Sequence, residues 1–69
     1  MPKPRVIAIP LFPGLQSLDA VGPGQVFGSA NQLHGANLYD VRFVATNAGP
    51  VATTAGFALH ADGLRAVPA

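Results

Sequence analysis

The chain has no cysteine among its 69 residues. Disulfide bonds, thiolate metal sites and a thiol nucleophile are therefore excluded within it. Its two histidines, His34 and His60, lie far apart in the sequence, which makes a weak case for a metal site. We accordingly predict neither a metal nor another cofactor.

Charge is equally scarce. Only 10% of the residues are charged, against about 25% in an ordinary soluble domain. The net charge is +1 and no basic run occurs, which argues against nucleic-acid binding by this segment. So few charges on a short chain predict that much of its surface is covered by other structure.

Long apolar runs are missing too. The apolar stretch that starts at Val6 is interrupted by Pro10 and Pro13, whereas a membrane-spanning helix needs about 20 mostly apolar residues. The apolar core Val6–Ile9 is too short for an export signal, and no small-residue cleavage site follows it cleanly. We therefore predict a cytoplasmic location and no membrane partner.

The apolar residues of the chain alternate between strand-like and helix-like patterns along the sequence. Val6–Phe12 is β-branched and continuously apolar, as in a strand buried on both faces, and Asp40–Thr46 alternates like a second strand. Between them, Val26, Phe27, Ala30 and Leu33 recur at helical spacing in the segment Leu18–His34, with Gly35 suited to the C-cap.

The remaining residues predict smaller elements. Val51–Thr54 and Phe57–His60 look like a hairpin or a bent edge strand, and Ala61–Val67 looks like the start of a helix. The order β-α-β favours parallel neighbours, with an α/β fold. A doubly wound sheet has about five strands or more. We therefore interpret residues 1–69 as the N-terminal part of one flavodoxin-like, mainly parallel domain, with a short edge hairpin.

Glycines after a first strand can indicate a nucleotide-binding site, but the glycines of this chain do not have the required pattern. Gly22, Gly24 and Gly28 have the spacing G-x-G-x-x-x-G, and they begin ten residues after Phe12. The dinucleotide fingerprint is G-x-G-x-x-G directly after the strand. Pro23 also removes a backbone N–H that a phosphate would use.

The chain instead resembles the start of the DJ-1/PfpI superfamily, which is glutamine-amidotransferase-like. The resemblance rests on "RVIAIPLFPGLQSLD", "GPGQVFGSAN", "YDVRFVATNAGPV" and "TTAGFALHAD", and it covers nearly the whole length. It is strongest to the N-terminal amidase-like domain of GlxA-type regulators of the AraC class. Isonitrile hydratases share "LD..GP..VF" but resemble the "SAN" and "LYDVRFV" stretches less well. Gly24-Gln25 replaces the apolar-acidic pair common in relatives.

The resemblance implies a ligand pocket that involves Asp19, Gly22 and Pro23. Asp19 matches an acidic pocket residue that works beside a nucleophilic cysteine further along the family's chain. Such an acid can donate a hydrogen bond when protonated, or orient a water as a base. The alternative is that Asp19 is simply a helix N-cap, a position that aspartate favours, and the two roles are compatible. Gly22 and Gly24 would let the backbone approach a neighbouring segment closely, and Pro23 would lie at the end of the first helical turn.

Three functions follow from this interpretation. The first is a small-molecule-sensing domain of an AraC-type transcriptional regulator, homodimeric in the full-length protein, with DNA bound only by a C-terminal region that this chain lacks. The second is the N-terminal part of an isonitrile-hydratase-like enzyme with a downstream cysteine. The third is a truncated chain without independent function. With no thiol present, we do not predict an enzyme for this chain by itself.

Overall fold

The computed structural model of the chain describes residues 3–66. They form one helix, four strands and a short 3-10 turn: β1 (Arg5–Pro10), α1 (Ser17–His34), β2 (Tyr39–Ala45), β3 (Gly49–Ala52), β4 (Ala58–Gly63) and η1 (Leu64–Ala66). The result is a small α/β unit with a mixed sheet. Within residues 3–66, no helix is long and apolar enough to cross a membrane.

Strands β1 and β2 are adjacent and parallel, as predicted. Their register runs from Arg5 opposite Tyr39 to Pro10 opposite Val44. Parallel neighbours need a crossover of a dozen residues or more, and α1 supplies it. The predicted boundaries are one or two residues late for both strands, because Phe12 and Thr46 already belong to the loops.

The predicted hairpin also exists, but its second strand is not at the edge. The sheet order is β1-β2-β4-β3, so β4 lies inside the sheet. It pairs in parallel with β2 through Val44–Asp62 and Ala45–Gly63, and in antiparallel fashion with β3.

The helix predicted over Ala61–Val67 is wrong. Residues 61–63 continue β4, and only a 3-10 turn follows at Leu64–Ala66. Ala61 is completely buried, so packing in the sheet overrides the weak local helical pattern. Val67 lies outside the described residues.

Helix α1 begins earlier than the sequence predicted. Gln16 is the N-cap and makes no side-chain capping bond, so the N-cap role considered for Asp19 is wrong. Asp19 is instead the third helical residue, where its negative charge favours the positive end of the helix dipole. Pro23 is the seventh helical residue, in the second turn rather than at the end of the first, and the helix continues through it.

The end of α1 matches the prediction. Gly35 has a φ of 67°, and its N–H donates to the carbonyl of Gln32 at 3.2 Å. The N–H of Ala36 donates to the carbonyl of Asn31 at 3.3 Å. This is a Schellman arrangement, which satisfies helix carbonyls that would otherwise lack a donor.

One glycine of α1 marks where the helix faces the sheet. A Cβ at Gly24 would lie 3.6 Å from Cδ1 of Ile9 and 3.7 Å from the ring of Phe43, which are ordinary van der Waals distances. A Cβ at Gly22 would have no neighbour within 4 Å. The predicted close approach of the backbone to a neighbour therefore occurs at neither glycine, because a side chain would fit at both.

Asn31 fastens the other end of α1 to β2. Its Oδ1 accepts hydrogen bonds from the N–H groups of Leu38 and Tyr39, and its Nδ2 donates to the carbonyl of Tyr39 at 2.8 Å. The ring of Phe27 packs edge-on against the Tyr39 ring, with centroids 4.9 Å apart. Asn31 is thus a structural clamp that links α1 to the start of β2.

The buried core lies under the carboxyl half of the sheet. It consists of five small or medium apolar residues, Leu11, Leu15, Ala20, Val51 and Ala61. The opposite face of β2 carries an ion pair beside the buried Val44: Arg42 donates to Asp40 at 2.9–3.0 Å. That hydrogen bond, with the charges of Asp40 and Asp62, raises the pKa of Arg42 above its ordinary value.

Replacing Gly28 should stabilise the fold. Gly28→Ala adds a side chain in open space and improves helix propensity, so the free energy of unfolding should rise by about 1 kcal/mol. Gly22, although equally open, is a poorer choice because it precedes Pro23, whose ring disfavours a helical residue with a Cβ before it. Gly35→Ala is the control, because a left-handed φ costs a residue with a Cβ about 1–2 kcal/mol. Urea denaturation followed by circular dichroism measures both, and a loss of stability in Gly28→Ala would contradict the open environment.

Removing the Asn31 clamp should be costly. Asn31→Ala deletes three hydrogen bonds, each worth about 1 kcal/mol, and should lower the free energy of unfolding by about 2–3 kcal/mol. Gln25→Ala truncates a similar amide whose bond to Ser29 is exposed, and it should cost no more than about 0.5 kcal/mol. Equal losses in the same melts would show that Asn31 has no special role.

Candidate functional site

A cleft of about 410 Å³ opens at the carboxyl edge of β1 and β2. Two loops form it, residues 11–13 after β1 and residues 46–48 after β2, and the start of β3 closes one side. Open α/β sheets place their ligands at this edge, because the loops that follow parallel strands meet there.

The loop after β1 is held by backbone hydrogen bonds. The N–H of Leu11 donates to the carbonyl of Val44 at 2.7 Å, which extends the pairing of β1 with β2. The chain then turns at Gly14, whose φ is 82°, and the N–H of Gly14 donates to the carbonyl of Ala52 at 2.9 Å. These bonds tie the two ends of the Phe12–Pro13 loop to β2 and to β3.

The same loop is tied to the hairpin a second time. Leu15 forms a parallel bridge with Thr53, and its carbonyl accepts from the N–H of Thr54 at 3.0 Å. Thr53 in turn donates through its hydroxyl to the carbonyl of Phe57 at 2.6 Å. Hydrogen bonds to the hairpin therefore hold the wall of the cleft that contains Phe12 in place.

The loop after β2 supplies the polar groups. Thr46 and Asn47 are exposed at the cleft, and the chain reverses into β3 at Gly49, whose φ of 133° suits glycine. Buried Leu11 and Val51 form the apolar floor, and Phe12, 60% exposed, stands at the rim.

The side chains that line the cleft are uncharged. Its nine lining residues include a hydroxyl, an amide and an aromatic ring but no side chain that carries charge near pH 7. Its volume falls within the roughly 300–1,000 Å³ of ordinary ligand pockets, which combine apolar walls with a few polar groups. The arrangement can hold a small, partly apolar, neutral molecule, and its own side chains offer no acid or base for catalysis.

The residues singled out from the sequence do not line this cleft. Asp19 is exposed on the first turn of α1, and among residues 3–66 its carboxylate has no hydrogen-bond or ion-pair partner. Gly22 lies on the outer side of the helix, and Pro23 lies in its second turn. Asp19, Gly22 and Pro23 therefore do not lie with the loops that form the cleft. Their role in ligand binding stays a prediction.

Sequence reasoning missed Thr46 and Asn47. Asn47-Ala48-Gly49-Pro50 and Phe12-Pro13-Gly14 each have the composition of a turn in the sequence. Both follow strands predicted to be parallel, so their shared position at the carboxyl edge was the available signal.

Comparison with known proteins assigns no family to the chain. No protein-family model matches it, and neither curated proteins nor solved structures give a match. Among residues 3–66, no group of three histidine or acidic side chains is placed to hold a metal ion. The resemblance to the DJ-1/PfpI superfamily therefore remains a prediction from sequence motifs.

The salt dependence of the free energy of unfolding tests the interaction of Asp19 with the helix dipole. At the third helical position its charge should stabilise the helix by about 0.3–1 kcal/mol, so Asp19→Asn should lower the free energy of unfolding by that amount. The loss should shrink in high salt, which screens exposed charges. Urea melts at low and high ionic strength measure it. An N-cap would predict no change, since asparagine caps as well as aspartate.

Proposed function

We propose that this chain is the N-terminal part of a small-molecule-sensing domain of the DJ-1/PfpI kind, belonging to an AraC-type transcriptional regulator. The observation that carries the proposal is the neutral cleft at the carboxyl edge of β1 and β2. It has the size of a ligand pocket and the chemistry of recognition rather than of proton transfer.

The backbone supports the same proposal. A parallel β1-α1-β2 unit with a further parallel strand, β4, is how a flavodoxin-like sheet begins, and we propose that complete fold for the protein. The helix starts directly after the loop that lines the cleft, so its N-terminal turn and Asp19 follow the carboxyl edge in the chain.

In this proposal Asp19, Gly22 and Pro23 contribute to ligand response together with groups outside these 69 residues. Their role rests on the sequence resemblance, and Asp19 is free to engage a further element because it is exposed. The hydratase alternative would need a cysteine from outside the chain as well as Asp19. The proposal further places the protein in the cytoplasm as a homodimer, with DNA contacted by another region.

A ligand-mapping experiment tests the cleft. The amide spectrum of the ¹⁵N-labelled chain is recorded with a panel of small neutral amides, nitriles and cyclic alcohols. Binding should shift the amide signals of Leu11, Phe12 and Gly14 and of residues 46–49, because these loops form the cleft. Shifts confined to other parts of the chain, or none with any compound, would contradict the proposed site.

Two phenylalanine variants sharpen that test. Phe12→Ala removes the aromatic wall and should weaken binding of the best compound about tenfold, since the contact of a large apolar side chain contributes about 1.5–3 kcal/mol when fully buried. Phe57→Ala removes a similarly exposed ring that does not line the cleft and should leave the affinity unchanged. Equal weakening by both variants would count against the cleft.

A further inference from the structure

A further cleft lies at the amino edge of β1 and β2, at the other end of these strands from the cleft described above. We call it the amino-edge cleft. Its volume is about 250 Å³, and it is lined by Lys3, Arg5, Asn37, Leu38 and Tyr39. Because β1 and β2 are parallel, the chain enters both strands at this edge, and the N–H of Arg5 donates to the carbonyl of Leu38 at 3.0 Å.

The amino-edge cleft carries uncompensated positive charge. Lys3 and Arg5 are two of the four basic residues of the chain, and both are exposed at this cleft. Neither makes an ion pair within residues 3–66, and none of the five lining residues is acidic. The carboxylate of Asp40, the next residue after the cleft along β2, is bound to Arg42 instead. Two like charges at one cleft repel each other, and an anion between them removes that repulsion.

The local backbone places the two basic side chains together. Lys3 and Arg5 are two residues apart, and residues at i and i+2 of an extended chain point to the same side. Pro4 between them has a fixed φ and favours extended backbone at Lys3. Arg5 is opposite Tyr39, whose ring packs edge-on against another aromatic ring. The charges therefore lie beside an apolar wall, where electrostatic interactions are stronger than in open water.

The loop that enters β2 adds a neutral hydrogen-bond donor. The side-chain amide of Asn37 makes no hydrogen bond within residues 3–66. Its neighbours in the chain are held in place, because the N–H of Leu38 donates to Oδ1 of Asn31 and the N–H of Ala36 donates to the carbonyl of Asn31. A loop that is ordered before a ligand arrives loses less entropy when the ligand binds.

We propose that the amino-edge cleft binds a phosphate group, with Lys3 and Arg5 as its cationic partners and the Asn37 amide as a neutral donor. A phosphate monoester carries a charge of about −1.5 to −2 near pH 7, which matches two basic side chains better than the single charge of a carboxylate does. The guanidinium of Arg5 can donate two parallel hydrogen bonds to phosphate oxygens, and the ammonium of Lys3 acts as a point charge.

The size and openness of the cleft define the ligand further. Its 250 Å³ is below the roughly 300–1,000 Å³ of ordinary ligand pockets, so the bound molecule is small. Both cations are exposed, so salt screens them and we expect a dissociation constant in the millimolar range. The inference does not rest on the proposed sensing function, because the two clefts lie at opposite edges of the sheet and share no lining residue.

A titration of the ¹⁵N-labelled chain with inorganic phosphate tests the site, with chloride keeping the ionic strength constant. The amide signals of Arg5, Asn37, Leu38 and Tyr39 should shift and saturate, because these residues line the cleft. Acetate should bind at least about threefold more weakly, because it carries a single charge.

Phenyl phosphate is the second probe and identifies the source of the phosphate group. Binding at least about threefold tighter than that of inorganic phosphate would indicate a monoester whose apolar part contacts Leu38 and Tyr39. Equal affinity would indicate free phosphate. Either result supports a phosphate site.

Three charge variants and one control sharpen the titration. Lys3→Gln and Arg5→Gln should each weaken phosphate binding about threefold to fivefold, the effect of removing one exposed ion pair. Arg5→Lys keeps the charge but loses the paired donors, so its effect should be smaller than that of Arg5→Gln. Arg65→Gln is the matched control: it removes the same charge from an exposed arginine of η1, outside the cleft, and should leave the affinity unchanged. Circular dichroism checks that each variant keeps its fold.

Three results would overturn the proposal. The first is the absence of saturable shifts with both phosphate probes, and the second is a set of shifts centred outside the amino-edge cleft. The third is equal weakening by Arg5→Gln and Arg65→Gln, which would indicate attraction by net charge without a site. Failure of the neutral compounds to bind at the carboxyl edge would affect only the functional proposal, so the two failures are distinguishable.

Discussion

The structure depends on the direct parallel pairing of β1 with β2. Two parallel neighbours cannot be joined by a tight turn, so the chain must return along one face of the sheet, and α1 is that return. The same constraint puts the loops after both strands at one edge. The cleft exists because residues 11–13 and 46–48 meet there.

Tertiary contacts explain how α1 tolerates glycine and proline together. Pro23 removes one backbone donor, to the carbonyl of Asp19, and the glycines lower helix propensity. Against this, α1 faces the side chains of Ile9 and Phe43 at Gly24, and Asn31 binds the start of β2. Contacts with the sheet stabilise α1, so the low helix propensity of its first two turns is tolerated.

The two sides of α1 differ in their contacts with the rest of the fold. Its inner side contributes Ala20 to a cluster of five buried apolar residues within residues 3–66, and its outer side remains apolar. A core this small leaves much of the stability of the unit to surfaces that another chain or segment can cover. The cleft and the outer face of α1 are lined by different residues, so they are separate surfaces of the fold.

The sequence by itself determined the alternation of strand, helix and strand, the Gly35 helix end and the hairpin. Those features depend on local periodicity and on residues with special backbone preferences. The tertiary structure decided the rest: β4 entered the sheet beside β2, Asn31 became a clamp, and Thr46 and Asn47 came to face Phe12. These outcomes depend on pairing between residues distant in sequence, which no local pattern specifies.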